Sequence, residues 1–179
     1  MQNSWTGAQY SIFRALFGGY LFVHFAYLAF WATDIFSRAG MVGDANLSPL
    51  IIAFPNILRL FDSPAFVTGL SIAAAFASLL FAIGKWDRLA ALFMWFVLAC
   101  FVGRNPLITN PAMPYVGWML LAHMFIRTTP FWSWPARGRA DPGGGWKMQN
   151  GIFIAGWIVL AHESRELAER ELVTSLEQL

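Results

Sequence analysis

The chain of 179 residues contains one cysteine, ten acidic residues and several long stretches with no charge at all. A single thiol, Cys100, excludes an intramolecular disulfide and any cysteine-based metal cluster. Set among Phe, Val, Leu and Ala, it reads as an inert small apolar residue. Charged residues make up 12% of the chain, against about 25% in an ordinary soluble domain. A net charge of +2, with basic residues scattered through short loops, gives no stripe for nucleic acid. Phosphate-binding loops, metal-binding helix motifs and Ser-His-Asp arrangements are also missing; "GGYLF" and "PGGGW" match neither a Walker nor a dinucleotide fingerprint. No Asp or Glu lies within the first four apolar runs, which removes the usual intramembrane group of proton-coupled transporters and pumps. The start, "MQNSWTGAQYSIFRALFGGYLF", lacks the basic n-region and small-residue cleavage site of a signal peptide, so the first apolar run is expected to remain as a span.

What is present is apolar: 58% hydrophobic residues, 17% of the chain aromatic. With roughly 20 residues needed per transmembrane helix, the length allows four or five spans in one bundle. The first runs from about Gln9 to Trp31, with Arg14 near its start, free to snorkel to the near interface, and His24 within it. Gly18 and Gly19 leave one flat place where a neighbouring helix can approach. A polar stretch with three prolines follows; within it, Leu50 to Phe61 reads as a short helix lying in the interface or over the bundle mouth, with a re-entrant segment as the alternative. The second span is Ala65 to about Ile83, "GKWDR" is a tight turn, the third span is Leu89 to about Val102, and the fourth runs from Pro111 or Pro114 to about Ile126. After a Pro/Gly-rich linker, "NGIFIAGWIVLAH" is short for a span. The Glu-rich end that follows reads as an amphipathic helix, with Leu167, Leu172 and Leu176 near one face and Glu166 paired with Arg170 at i,i+4.

Short cytoplasmic loops carry the excess of basic residues. With the N-terminus inside, Arg14, Lys85, Arg88, Arg127, Arg137, Arg139 and Lys147 fall on that side and Arg38, Arg59 and Arg104 outside. Trp5, Trp31, Trp86, Trp132, Trp134 and Trp146 then lie near span boundaries, as an aromatic belt requires. The expected location is the cytoplasmic (inner) membrane.

The stretch "GRNPLITNPAMPYVGW" gathers the groups suited to chemistry. Arg104, Asn105 and Asn110 with their prolines either cap two helices or, in the sharper reading, place Arg104 as an anion-holding group at a cavity mouth. His24, in the outer half of span one, and His123, near the middle of span four, either make interhelical hydrogen bonds or join Arg104 in the outward half of the bundle. Tyr20, Tyr27 and Tyr115 add hydroxyls there, and Trp118 would wall such a pocket. Haem between the two histidines needs rings at equal depth, which the estimated depths match only roughly, so it ranks below a quinone or lipid.

"YSIFRALFGGYLFVHFAYL" and "LLFAIGKWDRLAALFMWFVLACFVGRNPLITNP" resemble the HTTM superfamily, the membrane domain shared with vitamin K-dependent gamma-carboxylases. Arg14, Gly84, Arg88, Arg104, Asn105 and Asn110 occupy the positions that carry the resemblance, which covers about residues 10 to 133. DoxX-like small membrane proteins, some linked to quinone-dependent sulfur oxidation, are a weaker match. The resemblance implies a transmembrane bundle over residues 1–133; composition adds a Pro/Gly-rich linker over 134–149 and a short apolar helix with a Glu-rich tail over 150–179, the tail having no counterpart in the family. It does not carry carboxylase activity: the only lysines, Lys85 and Lys147, fall in cytoplasmic loops, and "NPAMPY" lacks the aspartate that commonly follows the Asn turn.

The expected architecture is therefore an all-α polytopic bundle of four spans, a short fifth helix and an amphipathic tail. Two functions follow. One is a non-catalytic subunit or accessory factor of a membrane complex, with other membrane subunits as partners and Gly18, Gly19, Glu166, Arg170, Leu172 and Leu176 as contacts. The other is a membrane enzyme component that holds a quinone-like or other lipid-like ligand through Arg104, His24, His123, Asn105, Asn110 and Tyr115.

Overall fold

The computed structural model describes residues 6–52, 54–108, 112–126, 133–134 and 151. They form four α-helices and no strand: α1 (Gly7–Phe36), α2 (Pro64–Ala82), α3 (Asp87–Arg104) and α4 (Met113–Phe125). The linker, the fifth apolar run and the tail, with Glu166, Arg170, Leu172 and Leu176, lie outside the described residues apart from Ser133, Trp134 and Gly151, as does Asn110.

Local chemistry sets the helix ends. At α1 the Thr6 hydroxyl accepts from the Gln9 amide while the Gln9 side chain accepts from the Thr6 amide, a reciprocal cap that satisfies two otherwise orphaned donors. Ser63 caps α2, and Pro64 fits the first turn, where no amide hydrogen is needed. The α2 C-terminus closes with Lys85 N–H on the Leu80 carbonyl and Gly84 N–H on that of Phe81, a paired closure that needs a left-handed residue. Gly84 supplies it at φ +71°. Arg88 then reaches across to donate to the Ile126 carbonyl at 2.9 Å, placing a cation at the α4 C-terminus.

The helices pack in chain order, α1 on α2, α2 on α3 and α3 on α4. Gly18 lets α1 and α2 meet almost backbone to backbone, since a Cβ there would stand 2.7 Å from Ala82 Cβ. Phe17, Leu21, Phe25, Phe81, Met94, Val97 and Leu120 fill the space between the helices.

Of the four helices, α1 and α2 are long and apolar enough to cross a membrane. The 18 residues of α3 include three charges, Asp87, Arg88 and Arg104. The 13 residues of α4 reach only about 20 Å at 1.5 Å per residue, against about 30 Å of hydrocarbon.

Residues 37–63 form a strap over the far end of the bundle, and they differ from the expected interfacial helix. The described residues of the Leu50 to Phe61 stretch hold turns and a 3-10 turn at Ile57–Arg59 and no α-helix. Side chains of the strap are committed to α3 instead: Ser48 donates to the Gly103 carbonyl at 2.6 Å and Asn56 to that of Cys100 at 2.8 Å. Pro55 and these long-range bonds outweigh the local apolar pattern.

Candidate functional site

Four polar residues meet at the end of the bundle where α1 and α3 begin and α2 and α4 finish. Tyr10 and Arg14 are one turn apart on α1, so both face the same neighbours. Asp87 opens α3, and His123 lies in the last turn of α4. All four are buried: Arg14 is 0% exposed and none of the others exceeds 4%. The Tyr10 hydroxyl lies 2.6 Å from His123 Nδ1, His123 Nε2 lies 3.1 Å from Asp87 Oδ2, and Arg14 Nη1 is 4.0 Å from the same oxygen.

The chemistry of the donors orders this chain. An ionised carboxylate only accepts, so His123 Nε2 carries the hydrogen given to Asp87; in the neutral imidazole Nδ1 is then the acceptor for the Tyr10 O–H. The Asp87 charge is compensated by the Arg14 guanidinium, the condition for keeping either inside an apolar core. Phe81 presses on the imidazole edge-to-face at 4.6 Å between centroids, and Gly84 makes room for Arg14: a Cβ there would stand 2.7 Å from Nη1. The arrangement ties three helices together through one imidazole. Its chemical capacity is proton transfer between a phenol and an imidazole oriented by a carboxylate.

At the opposite end, Arg104 is also 0% exposed. Its Nη2 donates to the Val42 carbonyl at 2.7 Å and lies 3.6 Å from Asp62 Oδ2, while Nε and Nη1 have no acceptor among the described residues. Asn105 donates to the Ile35 carbonyl and accepts from the Leu107 amide. Arg104 thus fastens the strap to α3, and Asn105 fastens the end of α1 to it.

The residues expected to share an outward pocket are therefore split. His123 bonds to the first residue of α3 and Arg104 is its last, about 25 Å away along the helix. His24 joins neither group. Half-buried on α1, it stacks on Tyr20 and meets the Phe25 ring edge. Tyr20 and Tyr27 face outward, Tyr115 is half-buried on α4, and Gly18 packs inside the chain against Ala82. Arg14 does not snorkel, because Asp87 supplies its counter-charge inside the bundle. Tyr10 and Asp87 were not among the expected site residues. The signal for Tyr10 was its i,i+4 spacing from Arg14; Asp87 carried none beyond being the one acid in a basic turn.

No protein-family profile, curated protein or solved structure matches the chain.

Proposed function

We propose that this is an integral membrane protein, a polytopic bundle with its N-terminus in the cytoplasm, that serves as a non-catalytic subunit or accessory factor of a membrane complex. The observation that carries the reading is an inverted polarity. Arg14, Asp87, His123, Arg104 and Asn105 are inside, while Leu16, Val23, Phe30, Ile72, Phe76 and Leu89 are exposed around the bundle. A soluble monomer rarely exposes apolar surface of this extent, whereas a bilayer accepts it and requires ionisable groups to face inward and pair. One ionic cluster fastens helices to each other and the other fastens the strap to α3, which is a framework role.

The HTTM resemblance supports the same reading. Arg14, Gly84, Arg88, Arg104 and Asn105, which carry it, all hold helix ends or the strap in place, so it concerns the framework and not a reaction. Four spans with α3 and α4 crossing beside α1 and α2 belong to this proposal.

One observation favours the second reading, a quinone-like or lipid-like ligand. Arg104 keeps Nε and Nη1 without acceptors at the strap end, where a ligand carbonyl would be held with Asn105 nearby. Native mass spectrometry of the protein gently extracted from its own membrane separates the two. A stable assembly with other chains is expected. A lone chain with a discrete quinone-sized adduct would replace the first reading by the second, and a bare lone chain would defeat both.

A further inference from the structure

The turn between α2 and α3 reads GKWDR, two cations around one acid, but the fold separates those charges. Asp87 is 4% exposed and turns inward to Arg14 and His123, so its charge is compensated inside the bundle. Arg88 stays exposed and Lys85 half-buried at the turn. Arg88 gives one nitrogen to the Ile126 carbonyl, and neither side chain has an acidic partner among the described residues. The other acids of those residues, Asp34, Asp44 and Asp62, belong to the strap end. Burying Asp87 therefore leaves this end of the bundle with two cations and, among the described residues, no exposed carboxylate.

Two indoles fix the first of these cations. Lys85 Nζ lies 5.3 Å from the Trp86 ring centroid and 5.0 Å from that of Trp134, within range of attraction between an ammonium and the face of an aromatic ring. Trp86 takes its position at φ +54°, the one positive φ outside glycine among the described residues, in a region that bulky side chains rarely enter. The ring gains little burial in return, being 67% exposed. Strain kept for an outward-facing ring argues for a use outside the chain. Ile83 and Leu89, also exposed, flank the turn on its two helices. The exposed groups thus pass from apolar side chains to indoles to cations, as the layers of a bilayer surface pass from acyl chain to headgroup.

We infer that this turn holds the phosphate of an anionic phospholipid, with Lys85 and Arg88 as the cations and Trp86 beside them at headgroup level. Charge selects the lipid. Two cations without an exposed acid attract a net negative headgroup, and the cytoplasmic leaflet, on which the proposed orientation places this end, carries the anionic lipids. A zwitterionic headgroup gains less, because its ammonium finds no carboxylate here. The two indole faces that could receive a choline are already taken by Lys85. The inference rests on the membrane-embedded reading and its orientation, and is independent of the accessory role.

Native mass spectrometry of the full-length protein in a neutral detergent, with equal amounts of phosphatidylglycerol and phosphatidylcholine added, reads the choice directly. Phosphatidylglycerol should be retained several-fold over phosphatidylcholine. Lys85→Gln should lower that ratio several-fold, while Arg38→Gln, which removes an exposed cation at the strap end, should leave it unchanged. Trp86→Gly separates binding from folding. Glycine relieves the left-handed backbone, so the unfolding midpoint should hold or rise, yet the ratio should fall because Lys85 loses one of its two rings. Equal retention of the two lipids, equal losses in Lys85→Gln and Arg38→Gln, an unchanged ratio in Trp86→Gly, or displacement of phosphatidylglycerol by excess inorganic phosphate would each overturn the inference. So would a carbodiimide cross-link from Lys85 to a glutamate of residues 163–179 in most chains, which would give the cation to the tail. A protein that retains neither lipid and stays soluble without detergent would defeat the membrane reading as well, whereas equal retention of both lipids defeats only the choice of headgroup.

Discussion

Gly84 and Arg14 occupy one space between them: the glycine's left-handed backbone closes α2, and its missing side chain is where the guanidinium lies. Gly84→Ala therefore meets two penalties at once. A left-handed alanine costs roughly 1–2 kcal/mol, and the new methyl would also have to move Arg14 away from Asp87. Thermal or denaturant unfolding in detergent should show a loss at least as large as the backbone cost. An unchanged midpoint would mean that the turn and the ion pair are not coupled.

The Arg14–Asp87 pair makes a sharper prediction. Removing one member of a buried ion pair strands the other charge, which typically costs about 3–5 kcal/mol. Asp87→Asn should approach that loss, and Arg14→Met should behave similarly. Combining them removes both charges, so the double variant should be more stable than the sum of the two losses predicts, a coupling of about 1–3 kcal/mol for contacting residues. Additive losses would show that the 4.0 Å separation carries little energy and that His123 is the true partner of Asp87.

Tyr10→Phe isolates the phenol. The ring and its packing remain, but His123 Nδ1 loses its 2.6 Å hydrogen-bond partner. An acceptor left buried and unmatched costs about 1–3 kcal/mol, so this variant should rank between wild type and Asp87→Asn. Loss equal to that of Asp87→Asn would instead point to collapse of the whole chain of bonds from Tyr10 to Arg14.

The bundle was legible in the sequence where the signal was local. Long apolar runs, broken in α1 by Arg14 alone, locate α1 and α2, and the Gly-plus-basic turn locates the hairpin between α2 and α3. The first span was read as ending at Trp31, yet α1 continues to Phe36, because Ala32 and Phe36 face inward and no breaker intervenes before Ser37. The site was legible only in part. Of the two readings of His123, the interhelical hydrogen bond holds and the shared pocket with Arg104 does not; its partners arrive from two other helices, so the sequence does not name them. Asp87 falls within a stretch that reads only as a tight turn, and nothing near it in sequence says that Arg14 and His123 enclose it. The strap failed for the same reason: Leu50 to Phe61 has local apolar clusters, while its conformation is set by Ser48 and Asn56 reaching carbonyls of a helix more than forty residues away.

The strap supplies the last prediction. Arg104 Nη2 holds the Val42 carbonyl, Asn56 Nδ2 holds that of Cys100, and Gly103 lies so close beneath that a Cβ would stand 2.7 Å from Asn56 Nδ2. Arg104→Gln shortens the side chain and removes the charge opposite Asp62, so the strap loses its central anchor while the helices keep their own packing. Asn56→Ala removes a neighbouring anchor and leaves Arg104 intact. Both variants should insert normally and keep their helical content, while protease cleavage around Met41–Asp44, an exposed stretch, should accelerate. The effect should be larger for Arg104→Gln, because that variant also leaves Asp62 without its 3.6 Å partner. Cleavage at the wild-type rate in Arg104→Gln would mean that Asn56 and Ser48 suffice to hold the strap. The two unmatched guanidinium nitrogens would then be the reason to look to a bound acceptor for the role of Arg104.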